Sequence, residues 1–237
     1  MQSFFVMAST STLFLIAGLI ALYSHVNGLT SEDTGTGILW RLEDTQDVWL
    51  EGNSNQMNTL DQLLVAKATG FPKKRFLVQF EDIPVKCSKV LQAKMYLYFH
   101  RSAKASWHPP SVAPMIARPL AVHQVNAQWL ENVATSVKRL ALDNWFLPYL
   151  ALNGVDAASI AQDTVTWFPG QPSGYMEFDI IGAATNWKQG TATNYGLLVW
   201  ATNESVDGRD LRFYSRRHTE STGCPETKPF MTVLCGY

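Results

Sequence analysis

The sequence predicts an all-β protein, an antiparallel β-sandwich of the jelly-roll type with one short helix near residues 180–189. Two observations indicate this fold. Many short segments alternate apolar and polar residues with a period of two, which is typical of strands that bury one face. Turn residues such as Pro169, Gly170 and Gly174 separate these segments, and one segment alone is suited to a helix. We therefore expect many short antiparallel strands around a single core.

The clearest alternation lies in residues 75–80 and 91–99. In the first stretch, Phe76, Val78 and Phe80 share one face. The second stretch has an apolar face and a polar, aromatic one, made of Leu91, Ala93, Met95, Leu97 and Phe99 on one side and of Gln92, Lys94, Tyr96 and Tyr98 on the other. Residues 81–84 supply a turn that contains Pro84, so the two stretches are interpreted as a hairpin.

The remaining elements follow from the same reasoning. The other predicted strands span residues 39–50, 63–66, 116–125, 164–168, 175–180, 195–201, 210–215 and 230–235. Residues 141–163 are rich in strand breakers and are predicted to be a long loop that wraps one edge. Asp179 is placed to cap the single helix, and Gly190 is placed to end it.

Residues 1–28 are predicted to be a signal peptide, because no Asp, Glu, Lys or Arg precedes Glu32 and residues 12–22 form an apolar core of suitable length. Cleavage is expected after Gly28. The alternative is an uncleaved membrane anchor over residues 4–26, and a membrane is a partner only in that case. Residues 29–42 are predicted to be a flexible N-terminus, and residues 43–237 a single secreted β-sandwich domain.

The charge composition argues against nucleic acid as a partner. The chain has 19 Lys and Arg residues against 20 Asp and Glu residues, and it contains no basic stripe. Its low charged fraction of 16% and its eight Trp residues indicate a packed, aromatic-rich fold rather than a disordered chain.

Three cysteines are compatible with an oxidising compartment, one disulfide and one free thiol. Cys87 lies at the start of one predicted strand and Cys235 at the end of another, so antiparallel neighbours would bring them together. A bridge from Cys224 to Cys235 would require the short segment between them to double back along a strand. We predict the pair Cys87–Cys235, with three buried free thiols as the alternative.

A series of core and turn residues recurs in an order and spacing typical of one known family. The series comprises Asp47, Leu64, Val65, the stretch 75–80, Ile83, Pro84, the stretches 93–97 and 129–131, Ala134, Thr135, the stretch 178–180, Trp187, Gly190 and the stretches 194–198, 213–215 and 230–233. The chain thereby resembles the DNRLRE domain, a β-sandwich of secreted and cell-surface proteins related to a family of carbohydrate-binding modules. The resemblance covers residues 43–237 and implies carbohydrate binding. The chain departs from it at residues 79–82 and in the insertion 141–162.

The outer face of stretch 91–99 is the candidate binding site. Sugars present apolar C–H faces and hydroxyl groups, so a binding surface combines aromatic rings with hydrogen-bonding groups. Lys94 would suit a uronate or a sulfate. The candidate residues are Gln92, Lys94, Tyr96 and Tyr98, extended by Arg212, Tyr214 and, from a loop, Trp107. The alternative is that Tyr96 and Tyr98 pack beneath residues 141–162 as a second core layer.

A structural calcium ion is the candidate cofactor. Asn203, Glu204, Asp207 and Asp210 supply hard oxygen ligands within one loop, although residues 207–210 also suit a simple turn. Asn203 also begins a glycosylation sequon with Glu204 and Ser205, and a glycan on Asn203 would compete with the metal.

No catalytic motif stands out, since the five histidines lack ligand spacing and neither a nucleophile elbow nor a phosphate loop is present. Glu177 and Asp179 have the spacing of a paired-carboxylate site, but Asp179 is better explained as a helix cap. We expect a secreted, non-catalytic module that binds extracellular polysaccharide or matrix glycoprotein. The alternative is a structural component of a cuticle, a shell or mineral skeleton, or an adhesive; a relic of a polysaccharide lyase or hydrolase is a third hypothesis.

Overall fold

The computed structural model describes residues 30–51, 62–67, 72–103, 115–218 and 227–237, so the predicted signal peptide, Trp107 and Cys224 lie outside the described residues. The described residues form eleven strands and one helix. In chain order these are β1 Thr30–Asp33, β2 Ile38–Glu51, β3 Gln62–Lys67, β4 Lys73–Phe80, β5 Lys89–Ala103, β6 Arg118–Gln124, β7 Asp163–Trp167, β8 Gly174–Asp179, α1 Ile181–Gln189, β9 Leu197–Ala201, β10 Asp210–Tyr214 and β11 Phe230–Gly236.

The pairing of these strands is antiparallel and closes into a barrel-like ring, which confirms the all-β prediction. The ring runs from the first half of β2 through β11, β5, β10, β3 and β4 to the second half of β2. We name as the first sheet β1, the first half of β2, β11, β5, β8 and β10. The second sheet comprises the second half of β2 with β4, β9, β6 and β7, and β3 joins the two.

Strand β2 belongs to both sheets because it bends in the middle. Glu43 pairs with Phe230 of β11, whereas the next residue, Asp44, pairs with Phe80 of β4. Thr45 is an extra residue in the ladder that follows, and such a bulge bends a strand and increases its twist. One strand thereby connects the two layers.

The predicted hairpin of β4 and β5 is wrong, although both strands exist. β4 pairs with β2, β3 and β9, whereas β5 pairs with β11, β10 and β8, and residues 81–88 lead from one sheet to the other. Alternation identifies strands and their faces but does not identify their partners. The inward face of β5 also differs at its start, because a bulge leaves Leu91 exposed and turns Val90 inward.

Two apolar clusters stabilise the fold. The first lies between the sheets and includes Phe213, whose ring contacts the rings of Phe76 and Phe99. The second lies on the outer face of the second sheet. Its members are Val48, Leu50, Leu77, Val125, Trp129, Ala134, Trp145, Leu150, Ala157 and Leu198. Residues 125–160, which we call the covering segment, therefore form a layer over this face rather than a loop around one edge.

The helix and its C-terminal end agree with the sequence-based prediction. α1 has nine residues, and Gly190 ends the helix in the left-handed conformation with φ of 70°. At the other end the N-cap residue is Ile180, which makes no side-chain capping bond, and the predicted cap Asp179 lies one residue earlier, where its Oδ1 accepts a hydrogen bond from the N–H of Ile181 at 2.9 Å. Within the described residues, no helix has both the length and the apolar character needed to cross a membrane.

The predicted flexible N-terminus differs from the structure. Residues 30–33 form β1, which pairs with residues 38–41 of β2 through a turn that contains Gly35 with φ of 77°. Glu32 and Asp33 place charges on this short strand at the edge of the sheet, a common protection of an exposed edge.

The predicted disulfide is confirmed, since Cys87 and Cys235 are bridged with a Cα–Cα distance of 5.1 Å. The bridge joins the connection between β4 and β5 to the end of β11. A disulfide of this kind is compatible with an extracellular protein.

Candidate functional site

The outer face of the first sheet carries five aromatic rings, which we call the aromatic face: Tyr96, Tyr98, Tyr175, Tyr214 and Phe230. They come from four neighbouring strands, β5, β8, β10 and β11. Residues that alternate with them, such as those at positions 95, 97 and 176, point into the core, so the period of two directs the rings outward.

The rings are ordered by contacts with one another. Tyr96 stacks on Phe230 with centroids 4.6 Å apart, and Tyr98 stacks on Tyr214 at 5.6 Å. Tyr175 meets Tyr96 and Tyr98 nearly at right angles, with interplanar angles of 89° and 86°. Stacking and edge-to-face contacts are the favoured geometries of aromatic pairs. Tyr175 has 41% of its surface exposed, which makes it the ring on this face that solvent reaches most readily.

A polar group borders the rings at one side. Lys94 Nζ donates to Glu177 Oε1 at 2.5 Å across β5 and β8, and this contact holds the pKa of Glu177 below its usual range. Partial burial raises the pKa of Tyr96, whose hydroxyl also contacts Thr232 and Glu177. Glu177 balances the positive charge of Lys94, so Lys94 is not an unpaired cation.

The other end of the aromatic face is formed around Tyr214. Its hydroxyl is hydrogen-bonded to His100 Nδ1 at 2.9 Å, and the His100 ring stacks on it with centroids 4.6 Å apart. His218 also stacks on Tyr214. His100 is an extra residue in the β5 ladder, because Phe99 faces Phe213 while the next pair is Arg101 with Arg212.

The structure brings together four of the predicted site residues, Lys94, Tyr96, Tyr98 and Tyr214. Gln92 is exposed further along β5, opposite Leu234 of β11, and Arg212 lies beyond Tyr214 on β10. The alternative position of Tyr96 and Tyr98, beneath residues 141–162, does not hold because the covering segment lies on the second sheet.

Sequence reasoning missed Tyr175, Phe230 and His100. Tyr175 could have been found from the sequence. It shares one face of β8 with Glu177, whereas Met176 and Phe178 lie on the inward face. Phe230 joins the aromatic face only because β11 places it opposite Tyr96, and that register cannot be deduced from the local pattern.

The predicted calcium loop instead contacts the protein's own cations. Glu204 binds Arg75, with one contact of 3.0 Å, Asp207 binds Lys67 at 2.9 Å and Asp210 binds Lys74 at 2.8 Å. The three carboxylates therefore diverge. Nowhere in the described ranges do three or more His, Cys, Asp or Glu side chains group as metal ligands would.

The backbone of the same loop, together with the end of β3, surrounds the buried guanidinium of Arg118. This group donates to the carbonyl oxygens of Val206 at 3.0 Å, Lys67 at 3.1 Å and Asn203 at 3.2 Å. Burial lowers the pKa of Arg118. The loop thus surrounds the positive charge of a side chain from β6, and its three carboxylates contact other side-chain cations. Calcium binding stays a prediction.

Glycosylation at Asn203 stays a prediction. The Nδ2 atom of Asn203 donates to the carbonyl oxygen of Ala117 at 3.0 Å, and Oδ1 accepts from Arg118. A glycan on Nδ2 would have to be accommodated beside these contacts.

A second acidic group lies where β2 crosses between the sheets. Burial raises the pKa of Asp44 and raises that of Asp47 to about 6. Asp47 Oδ2 accepts the backbone N–H of Arg216 at 2.6 Å, and the Arg216 side chain binds Glu131 of the covering segment. Asp47 is almost fully buried, so this group ties chain segments together rather than facing a ligand.

No family model matches the chain, and no match is found among curated proteins. The resemblance to the DNRLRE domain therefore stays a prediction, and a function has to be argued from the geometry of the aromatic face.

Proposed function

We propose that this protein is a secreted, non-catalytic module of jelly-roll β-sandwich fold that binds carbohydrate through the aromatic face. The observation that supports this most directly is Tyr175, a ring with 41% of its surface exposed and held in place by perpendicular neighbours. A sugar that lays its C–H face on this ring would meet the polar pair Lys94 and Glu177 on adjacent strands.

The surface is organised before a ligand arrives. Tyr96 and Tyr98 are fixed by stacking on Phe230 and Tyr214, so few side-chain rotamers have to be ordered on binding. Lys94 and Glu177 offer a donor and an acceptor, which together match the hydroxyl groups of a sugar.

A binding role is favoured over catalysis by the state of the nearby carboxylates. Glu177 is paired with Lys94, and Asp179 accepts a hydrogen bond from the start of α1. Product release from alginate-like polymers and neutral glucans tests the lyase or hydrolase hypothesis, and release of reducing ends or unsaturated products would contradict a non-catalytic module.

The binding proposal is tested by screening the secreted protein against a glycan array, with and without calcium, and comparing Tyr175→Ala with Phe168→Ala. Phe168 is an exposed aromatic residue outside the aromatic face and serves as the control. We expect Tyr175→Ala to weaken binding by about tenfold or more. Loss of a stacked ring removes up to a few kcal/mol of binding free energy, and about 1.4 kcal/mol corresponds to a tenfold change in affinity. Retention of no glycan at millimolar concentration by the wild-type protein would overturn the proposal.

The alternative, a structural component of an extracellular matrix, is favoured by the mutual stacking of the rings. Tyr96 and Phe230 cover each other, and Tyr98 and Tyr214 do the same. If the rings only stabilise the sheet, Tyr175→Ala will lower the free energy of unfolding by more than about 1 kcal/mol, and the wild-type protein will bind no glycan. Equilibrium unfolding in urea measures this change.

A further inference from the structure

We infer that the glycan is anionic and that Arg101 and Arg212, at the Tyr214 end of the aromatic face, bind its carboxylate or sulfate group. This inference rests on the proposed carbohydrate-binding function and specifies the class of ligand.

Two arginines face each other across β5 and β10 at this end. Arg101 pairs directly with Arg212 in the ladder, and Arg212 shares its face with Tyr214, two residues further along β10. Like charges directly opposite in a sheet destabilise it. The bulge at His100 creates this pair, because a regular ladder would turn Arg101 toward the core after Phe99. An anion between the two guanidinium groups would remove the repulsion.

Neither arginine is fully neutralised by the described residues. The side chain of Arg101 is exposed. Arg212 Nη1 donates to the uncharged Gln62 at 3.3 Å, and its Nε is buried without a hydrogen bond. Asp210 lies 4.0 Å from Arg212 but accepts a shorter contact of 2.8 Å from Lys74, so its charge is shared.

Two other cations near the aromatic face are already paired. Lys94 binds Glu177, and Arg41 Nε binds Glu43 at 3.0 Å. The sequence predicts Lys94 as the partner of a uronate or sulfate. Because Lys94 already pairs with Glu177, we assign that role to Arg101 and Arg212 instead. Guanidinium groups also suit it better, since their fork of donors matches carboxylate and sulfate oxygens.

The arginine pair lies within reach of a sugar stacked on Tyr175. Tyr175 faces Tyr98 in the ladder, and Arg101 follows three residues later on β5, which is about 10 Å along a strand. A single polysaccharide chain can therefore contact the ring and the arginine pair together.

The test compares anionic polymers with uncharged counterparts of the same backbone. The probes are polygalacturonate and alginate with their methyl esters, and dextran sulfate with dextran. Calorimetric titration of the full secreted chain at low salt is expected to show at least tenfold tighter binding for the anionic member of one or more pairs. The preference should shrink as salt is raised, because exposed charges are screened.

Variants assign the preference to residues. Arg101→Gln/Arg212→Gln should abolish the preference, and Arg101→Gln alone, at an exposed position, should reduce it at least threefold without lowering the melting temperature. Lys89→Gln is the matched control, since Lys89 is an exposed cation at the opposite end of β5, and it should retain the preference.

Equal affinity for both members of every pair, or an unchanged preference in Arg101→Gln, overturns the inference and leaves carbohydrate binding intact. A wild-type protein that binds none of the six polymers, nor any glycan on the array, overturns the proposed function and the inference with it.

Discussion

The outer faces of the two sheets differ in what covers them. On the second sheet Val48, Leu77 and Leu198 point outward and are fully buried beneath the covering segment. On the first sheet Tyr96 and Tyr175 point outward and remain partly exposed. An aliphatic residue gains stability only by burial, whereas a tyrosine tolerates water at its hydroxyl end. The kind of outward residue therefore indicates which face is available to a ligand.

The covering segment is held by directed contacts as well as by apolar burial. Arg75 donates to the carbonyl oxygens of Tyr149 at 2.7 Å and Leu150 at 3.0 Å, and it binds Glu204. Trp129 Nε1 donates to the carbonyl oxygen of Tyr195 at 2.8 Å. These contacts make the covered face part of the scaffold, and the variants below test whether the two faces differ in this way.

The largest effect is expected for Trp129→Ala in the covered cluster. Trp129 is 1% exposed, and truncation of a buried Trp typically lowers the free energy of unfolding by about 3–5 kcal/mol. Tyr175→Ala, the matched change on the open face, should lower it by less than about 1 kcal/mol. Urea unfolding measures both values, and equal losses would contradict the distinction between scaffold and open face.

Removal of the Arg75 side chain should loosen the covering segment. Arg75→Met leaves two carbonyl groups unpaired, and Glu204 then keeps only its contact with Lys73 at 3.4 Å. We therefore expect the free energy of unfolding to fall by about 3 kcal/mol. Hydrogen exchange should accelerate at residues 149–154 first. Arg139→Met, which removes a partly exposed arginine of the same segment, should change the stability by less than about 1 kcal/mol. If exchange accelerates equally in β5, Arg75 does not act as a local anchor.

A smaller effect is expected from pH at the crossing of β2. Burial raises the pKa of Asp47 to about 6, so between about pH 4 and pH 6 the folded protein binds more protons than the unfolded chain. Its contribution to stability is therefore present below about pH 4 and is lost as the pH rises through 6. Asp47→Asn should flatten this dependence by up to about 1.4 kcal/mol per pH unit in denaturant unfolding. A variant with the wild-type slope would show that Asp47 does not titrate in this range.

The smallest change is expected for Tyr175→Phe. If the ring face binds the sugar, this variant should retain affinity within about threefold of the wild type, in contrast to the loss expected for Tyr175→Ala. Titration with the same glycan compares the two, and equal losses would assign binding to the hydroxyl group rather than to the ring.

Local patterns predicted the strands and their faces more successfully than their neighbours. β4, β5 and α1 follow from residues that are close in sequence, and the disulfide followed from strand ends. The assumed hairpin is wrong because partner choice depends on long-range packing, which a period of two does not encode.

The candidate site was predictable to a similar degree. Tyr96 and Tyr98 were identified by alternation, whereas Phe230 and Arg101 reach the site through register and a bulge. The surroundings of the predicted calcium loop were not foreseen, because Arg118, a residue 85 positions from Asn203, donates to the loop's carbonyl oxygens. Contacts between residues so distant in sequence cannot be inferred from the loop's own composition.

The position of β11 has a consequence for synthesis. This strand is the last of the described strands to leave the ribosome, yet it lies between β2 and β5 in the ring. Until residue 236 emerges, both neighbours present unpaired edges, which are prone to wrong associations. Cys87 likewise cannot form its disulfide until Cys235 has been synthesised. Closure of the barrel is therefore expected to follow the synthesis of β11, with disulfide formation as its marker.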